Sequence, residues 1–156
     1  MAEKTKYFTE CLIKANKKLA QEHNFMAPWE DLSAVELNAH VLSTLDFQIN
    51  DAGFEAWYNR GFGIEIVDLV DFLSQHKNIR AIGKVLALVR KVFVFLSESK
   101  RFEADLALDK VPQMKEYALY LQENIEECNQ AYYALAADFM EAVDKIFEKL
   151  RPAETV

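Results

Sequence analysis

Apolar side chains return along most of this chain every three or four residues, the period of an α-helix with one buried face. Phe8, Leu12, Ala15 and Leu19 recur in this way within residues 4–23, with Lys14, Lys17 and Lys18 off the stripe. The Met26-Ala27-Pro28 step closes that helix, because the residue before a proline is pushed out of the α region. Ser33 and Glu36 have the spacing of a capping box, the serine closing the first turn and the glutamate reaching back. A second helix is predicted from there to about Gln48, with Val35, Leu42, Leu45 and Ile49 inward, and a short one over 54–59. A fourth covers 64–75. Ile66, Val67, Leu69, Val70 and Leu73 are assigned to its apolar face, and Glu65, Asp68 and Asp71 to the other. A fifth, over 79–96 with Asn78 as cap, ends in Val92-Phe93-Val94-Phe95-Leu96, which is apolar on every side.

Residues 97–111 read as a long loop, polar at first. Pro112 suits the first turn of a helix over 112–124, and a last helix over 125–150 buries Tyr132, Leu135, Phe139, Val143, Ile146, Phe147 and Leu150. No strand alternation of useful length occurs. The expectation is an all-α fold, one compact domain over 1–156 with six to seven helices. Only four glycines and three prolines occur, which suits long elements and short loops.

Those glycines are concentrated. Gly53, Gly61 and Gly63 fall in or just after Gln48-Ile49-Asn50-Asp51-Ala52-Gly53-Phe54-Glu55-Ala56-Trp57-Tyr58-Asn59-Arg60-Gly61. Glycine tolerates positive φ, so the backbone is expected to turn hard here. Phe54, Trp57 and Tyr58 between the turns share one side of a short helix and read as core. The stretch is a hinge that sets how its neighbours pack.

Charge changes the picture more than composition does. The net charge of −7 divides into +3 over residues 1–21, −9 over 22–75, +6 over 76–101 and −7 over 102–156. Such sorting bears on partners and solubility rather than on fold. The bases of the fifth helix, Lys77, Arg80, Lys84 and Lys91, raise nucleic-acid binding. In a chain of pI near 5.0 they suit acidic protein surfaces better, this chain's own or a partner subunit's. No apolar run is long enough for a membrane span and no leader is evident, so a cytoplasmic protein is expected. Cys11 and Cys128 lack a Cys-x-x-Cys pattern and read as small buried apolar residues.

Catalytic motifs are wanting. Glu36 and His40 share a helix face, but a catalytic zinc needs three protein ligands and no third is in sight. Gly61-Phe62-Gly63 opens like a dinucleotide loop, yet position 66 is Ile and no strand precedes it. Glu126 and Glu127 are adjacent and point about 100° apart on a helix, a poor arrangement for paired acid–base work. No enzyme activity, cofactor or metal is expected; an enzyme would need a pocket converging near Glu36, His40 and Asn50.

Gln48-x-Asn50-x-x-Gly53-Phe54 followed by Tyr58-Asn59-x-Gly61 resembles the signature of the bacterial DNA-mimic protein family, small acidic helical proteins. The likeness extends to Leu37-Asn38-Ala39 and Ala81-Ile82-Gly83 and covers about 30 to 90. Relatives tend to read Asn-Gly-Gly-Phe where this chain has Asp51-Ala52-Gly53-Phe54. The resemblance implies an all-helical fold and often a homodimer. In a studied member, carboxylates imitate duplex phosphates and occupy the DNA-binding face of a transcriptional repressor. Carried onto this chain, that role falls to Glu30, Asp31, Asp46, Asp51, Glu55, Glu65, Asp68 and Asp71. The expected partner is then a basic, DNA-binding protein, with no direct binding of nucleic acid or membrane. A charge run is ordinarily only a solvated face. The alternative within the binding class is an immunity-like protein that neutralises a toxin.

Overall fold

The computed structural model describes residues 5–20, 31–108 and 115–152. It is all-helical there: α1 (Tyr7–Ala20), α2 (Ala34–Asn59), a 3₁₀ turn (Phe62–Glu65), α3 (Ile66–Gln75), α4 (Arg80–Ala107) and α5 (Lys115–Leu150). No strand occurs among the described residues. Five α-helices stand where the sequence pattern suggested six to seven, for two reasons. The short helix over 54–59 is the second limb of α2, and the helices placed at 112–124 and 125–150 are one continuous α5. Pro112 and the start assigned to it lie outside the described residues.

The supposed loop over 97–111 is helical as far as Ala107. No glycine or proline interrupts it. Phe95 and Phe102 turn their rings edge-on to Tyr120 and Tyr117 of α5, with centroids 6.2 and 5.1 Å apart. Packing against α5 thus carries a polar segment as helix. α4 and α5 form a long antiparallel hairpin, and α1, α2 and α3 pack on its body-side face. The core is continuous through all five helices, with Leu42, Leu45, Phe54, Trp57, Leu69, Leu73, Ile82, Tyr132, Phe139 and Phe147 fully enclosed. Cys11 and Cys128 are buried free thiols, and burial pushes both above the usual range.

Two faces differ from the pattern reading. On α3 the buried stripe is Leu69, Phe72 and Leu73, and Val67 lies opposite it, 74% exposed. At 100° per residue Glu65 falls on the same side as Leu69 and Phe72, not with Asp68 and Asp71. In α4, Val92 and Leu96 are buried but Val94 is 60% exposed, so that segment is not enclosed on every side. The residue before α4 is Ile79 rather than Asn78, and no side chain caps it.

The capping box at α2 is present in full. Glu36 N–H donates to Ser33 Oγ at 3.2 Å and Ser33 N–H donates to Glu36 Oε1 at 2.9 Å. At the opposite end of the assembly Arg151, just past α5, binds Glu10, Glu148 and the Thr5 carbonyl and lies over the Tyr7 ring. Arg151 thus holds the start of α1 against the end of α5, and Lys18, at 2.6 Å from Glu36, holds the last turn of α1 against α2.

Candidate functional site

The 48–61 stretch does turn hard, and the structure shows what holds the turn. Gly53 adopts φ +89°, ψ 174° inside α2, and Gly61 adopts φ +92° at the head of the 3₁₀ turn. A break at Gly53 frees the N–H of Phe54 from the helical ladder. Asn129 of α5 supplies the acceptor: Phe54 N–H donates to Asn129 Oδ1 at 2.8 Å, in the core. The amide's nitrogen is engaged as well, since Asn129 Nδ2 donates to Glu126 Oε2 at 3.1 Å. Asn129 therefore caps the second limb of α2 from another helix. On the outer side Arg60 reaches back across the break to Gln48 and to Asp51, the latter at 3.4 Å. Phe54 and Trp57 are buried, Tyr58 packs edge-on to Phe93, and Asn59 is exposed. The stretch is consequently a joint held from both sides, by Asn129 within and Arg60 without.

The eight carboxylates proposed as phosphate surrogates fall into different environments. Glu30 lies outside the described residues. Asp46 is partly buried; the Tyr132 hydroxyl donates to its Oδ1 at 2.5 Å and Asn50 Nδ2 donates to the same atom at 3.0 Å. Burial and this bond to a carboxylate push the Tyr132 hydroxyl far above the ordinary tyrosine range. Glu65 is buried against His40, with Nε2 to Oε2 at 2.9 Å, and its Oε1 has no hydrogen-bond partner. Both acids tie helices together. Glu65 is buried, whereas Asp46 is partly buried and keeps a place on the surface.

Asp31, Asp51 and Asp71 are exposed, and Glu55 and Asp68 are half-buried. Asp51 is shared with Arg60, and Asp71 accepts from Gln75 Nε2 at 3.1 Å one turn on. Large apolar side chains stand among them. Phe47, one turn before Asp51 on α2, is 64% exposed, and Ile64 is 70% and Val67 74% exposed just before Asp68 and Asp71. Phe47, Asp46, Asn50 and Asp51 line an open groove of about 520 Å³ with Phe8, Ser43 and Met140.

Glu36, His40 and Asn50 do not converge. Ten residues of helix, about 15 Å, separate His40 from Asn50. Glu36 is taken up by Lys18 at 2.6 Å and by Ser33, and His40 by Glu65. No group of three or more metal-ligating side chains occurs among the described residues, and no helix there is long and apolar enough to cross a membrane.

Asn129 and Tyr132 are the site residues that sequence reasoning passed over. Tyr132 was read as apolar core, and its hydroxyl's partner lies 86 residues away. A signal for Asn129 existed: it is the polar member of the otherwise apolar run Ile125, Cys128, Tyr132. Comparison with known proteins finds no matching family model, no matching curated protein and no matching solved structure.

Proposed function

We propose that this chain is an acidic protein-interaction module that binds the basic surface of a DNA-binding protein, such as a transcriptional repressor, in competition with DNA. The observation that carries this reading is the mixed character of the exposed faces of α2 and α3. Phe47 stands beside Asp51, and Ile64 and Val67 stand beside Asp68 and Asp71. A merely solvated acidic face has no use for large exposed apolar side chains. A protein partner does, because apolar contact at the centre of an interface supplies affinity while charge supplies steering and selectivity. Over residues 31–75 Arg60 is the sole Lys or Arg, and it is engaged by Gln48 and Asp51. Asp51, Glu55, Asp68 and Asp71 with Asp31 are the exposed or half-buried carboxylates among the described residues that this reading relies on.

The test is affinity capture from the source cell at about 50 mM and about 300 mM salt, since screening weakens exposed charge contacts over that range. DNA-binding proteins are expected in the low-salt fraction, displaced by added duplex DNA and lost when Asp51→Asn, Asp68→Asn and Asp71→Asn are combined. Undiminished capture by that variant, or no displacement by duplex DNA, refutes the proposal.

A further inference from the structure

One stripe of α4 is left uncovered by the other helices. Arg80, Lys84, Lys91 and Arg101 stand on it, and all four are exposed. At 100° per residue they fall within an arc of about 100°, with the exposed Ala87 and Val94 between them. None of these four bases has an ion-pair partner among the described residues. Lys18, Arg60 and Arg151, by contrast, each hold a carboxylate. The acid on the stripe, Glu98, is taken up by the Tyr117 hydroxyl of α5, which donates to it.

Beside the stripe lies a shallow groove of about 250 Å³, formed by Phe93, Val94, Ser97, Glu98 and Arg101. The stripe is therefore apolar at Ala87 and Val94 and basic on either side of them. An amphipathic helix matches such a surface, with its apolar side chains in the hollow and its charges flanking them. The intervals from Arg80 to Lys84, Lys84 to Lys91 and Lys91 to Arg101 are each close to a whole number of helical turns. A second helix lying nearly alongside can then oppose an acid to every base. A nucleic-acid duplex fits less well. Its phosphates gain nothing from Ala87, Val94 and the groove, and, being wider than a helix, it would overlie α5. There the exposed Glu127 lies near enough to Cys128 to act on its thiol, as Lys91 does from α4, so negative charge borders the stripe.

We propose that the open stripe of α4 is a docking site for an acidic amphipathic helix of another protein. Its carboxylates meet Arg80, Lys84, Lys91 and Arg101, and its apolar side chains meet Ala87 and the groove at Val94. The site is separate from the acidic faces of α2 and α3, and the proposal does not rest on them. From Arg80 to Arg101 is about 32 Å, and a helix is about 10 Å wide, so the contact buries less than about 1,200 Å² in total. That is the range of weak, reversible association, in which charge sets the rate and the apolar contact the selectivity.

The probe is a synthetic helix of about 22 residues, with leucines about two turns apart to meet Ala87 and Val94 and glutamates to meet the four bases. Calorimetric titration into the purified full chain at about 50 mM salt is expected to give a dissociation constant on the order of 10–100 µM, weakened severalfold at about 300 mM. Arg80→Glu, Lys84→Glu and Lys91→Glu combined should raise it about tenfold or more, and Val94→Asn about threefold. On the wild-type chain, a peptide with its glutamates changed to glutamine should lose the same tenfold, which keeps the test independent of how the variants fold. Asp51→Asn, Asp68→Asn and Asp71→Asn combined should not weaken peptide binding, which separates this site from the acidic one. No binding, or equal binding of a scrambled peptide of the same composition, overturns the proposal. Tighter binding of duplex DNA by the same bases overturns it in favour of nucleic acid. Sedimentation showing a dimer that the triple base variant loses overturns it in favour of a second copy.

Discussion

Replacing Gly53 with alanine isolates what the joint in α2 is made of. At φ +89°, ψ 174° the backbone occupies a region open essentially to glycine alone, and forcing a β-carbon into it costs about 1–3 kcal/mol. The new Cβ would also stand 2.8 Å from Asn129 Nδ2 and 3.2 Å from its Oδ1. The amide must then move, and the Phe54 N–H it accepts from is left unbonded in the core, at about 1–3 kcal/mol more. The sum is about 2–6 kcal/mol, a large share of what holds an ordinary domain together. For a chain of 156 residues that lowers the melting temperature by on the order of 10 °C.

Gly61→Ala is the internal control. Gly61 also has positive φ, at +92°, but its Cβ would meet nothing within 4 Å. Only the left-handed backbone term remains, about 1–2 kcal/mol. Urea unfolding of both variants and of Asn129→Ala, with the Gly53→Ala/Asn129→Ala double, completes the set. If the clash acts through the amide, the two single costs overlap and their sum exceeds the cost of the double variant. A Gly53→Ala cost no larger than that of Gly61→Ala, or strict additivity with Asn129→Ala, refutes the reasoning.

Two further predictions concern acids that the fold uses. Burial works to raise the Glu36 carboxyl, but the Lys18 ammonium and the bonds with Ser33 outweigh it and hold the group below its ordinary value. A carboxyl depressed in the fold stabilises above its unfolded value, here 4.5, and that stabilisation fades as pH falls through the lower folded value. Melting scans from about pH 7 to pH 3 should therefore fall less steeply on the acid side for Glu36→Gln than for the wild type; equal slopes would count against it. His40→Ala strips Glu65 of the partner at 2.9 Å and is expected to cost about 2 kcal/mol by urea unfolding, whereas Asp71→Ala stays within about 0.5 kcal/mol. Equal costs for the two would remove the distinction between Glu65 and the surface acids.

How much the sequence discloses depends on the range of the contact concerned. The capping box of Ser33 and Glu36 closes within four residues, and the positive φ of Gly53 and Gly61 follows from local turn chemistry, so both are legible. The acceptor for the Phe54 N–H comes from 75 residues away, and no local pattern reports it. Ser97–Ala107 reads as loop because it is polar, but its helix is stabilised by Tyr117 and Tyr120 of a helix yet to come. Glu65 looks like a member of an acidic stripe until the 3₁₀ turn before Ile66 sets it on the inner side, opposite His40.

A count of charges treats all carboxylates alike, and the fold does not. Glu36, Asp46 and Glu65 each hold two helices in place, through Lys18, Tyr132 and His40. Removing them would abolish any function by loosening the structure, and so would say nothing about a partner. Asp68 and Asp71 carry no such duty, and Asp51 shares only an exposed contact with Arg60. The same division holds within residues 48–54 of α2. Gln48, Asn50, Gly53 and Phe54 spend their polar atoms and their backbone on the joint itself. The outer side chains of α3, Asp68 and Asp71 among them, lie outside that joint and can change without touching its bonds.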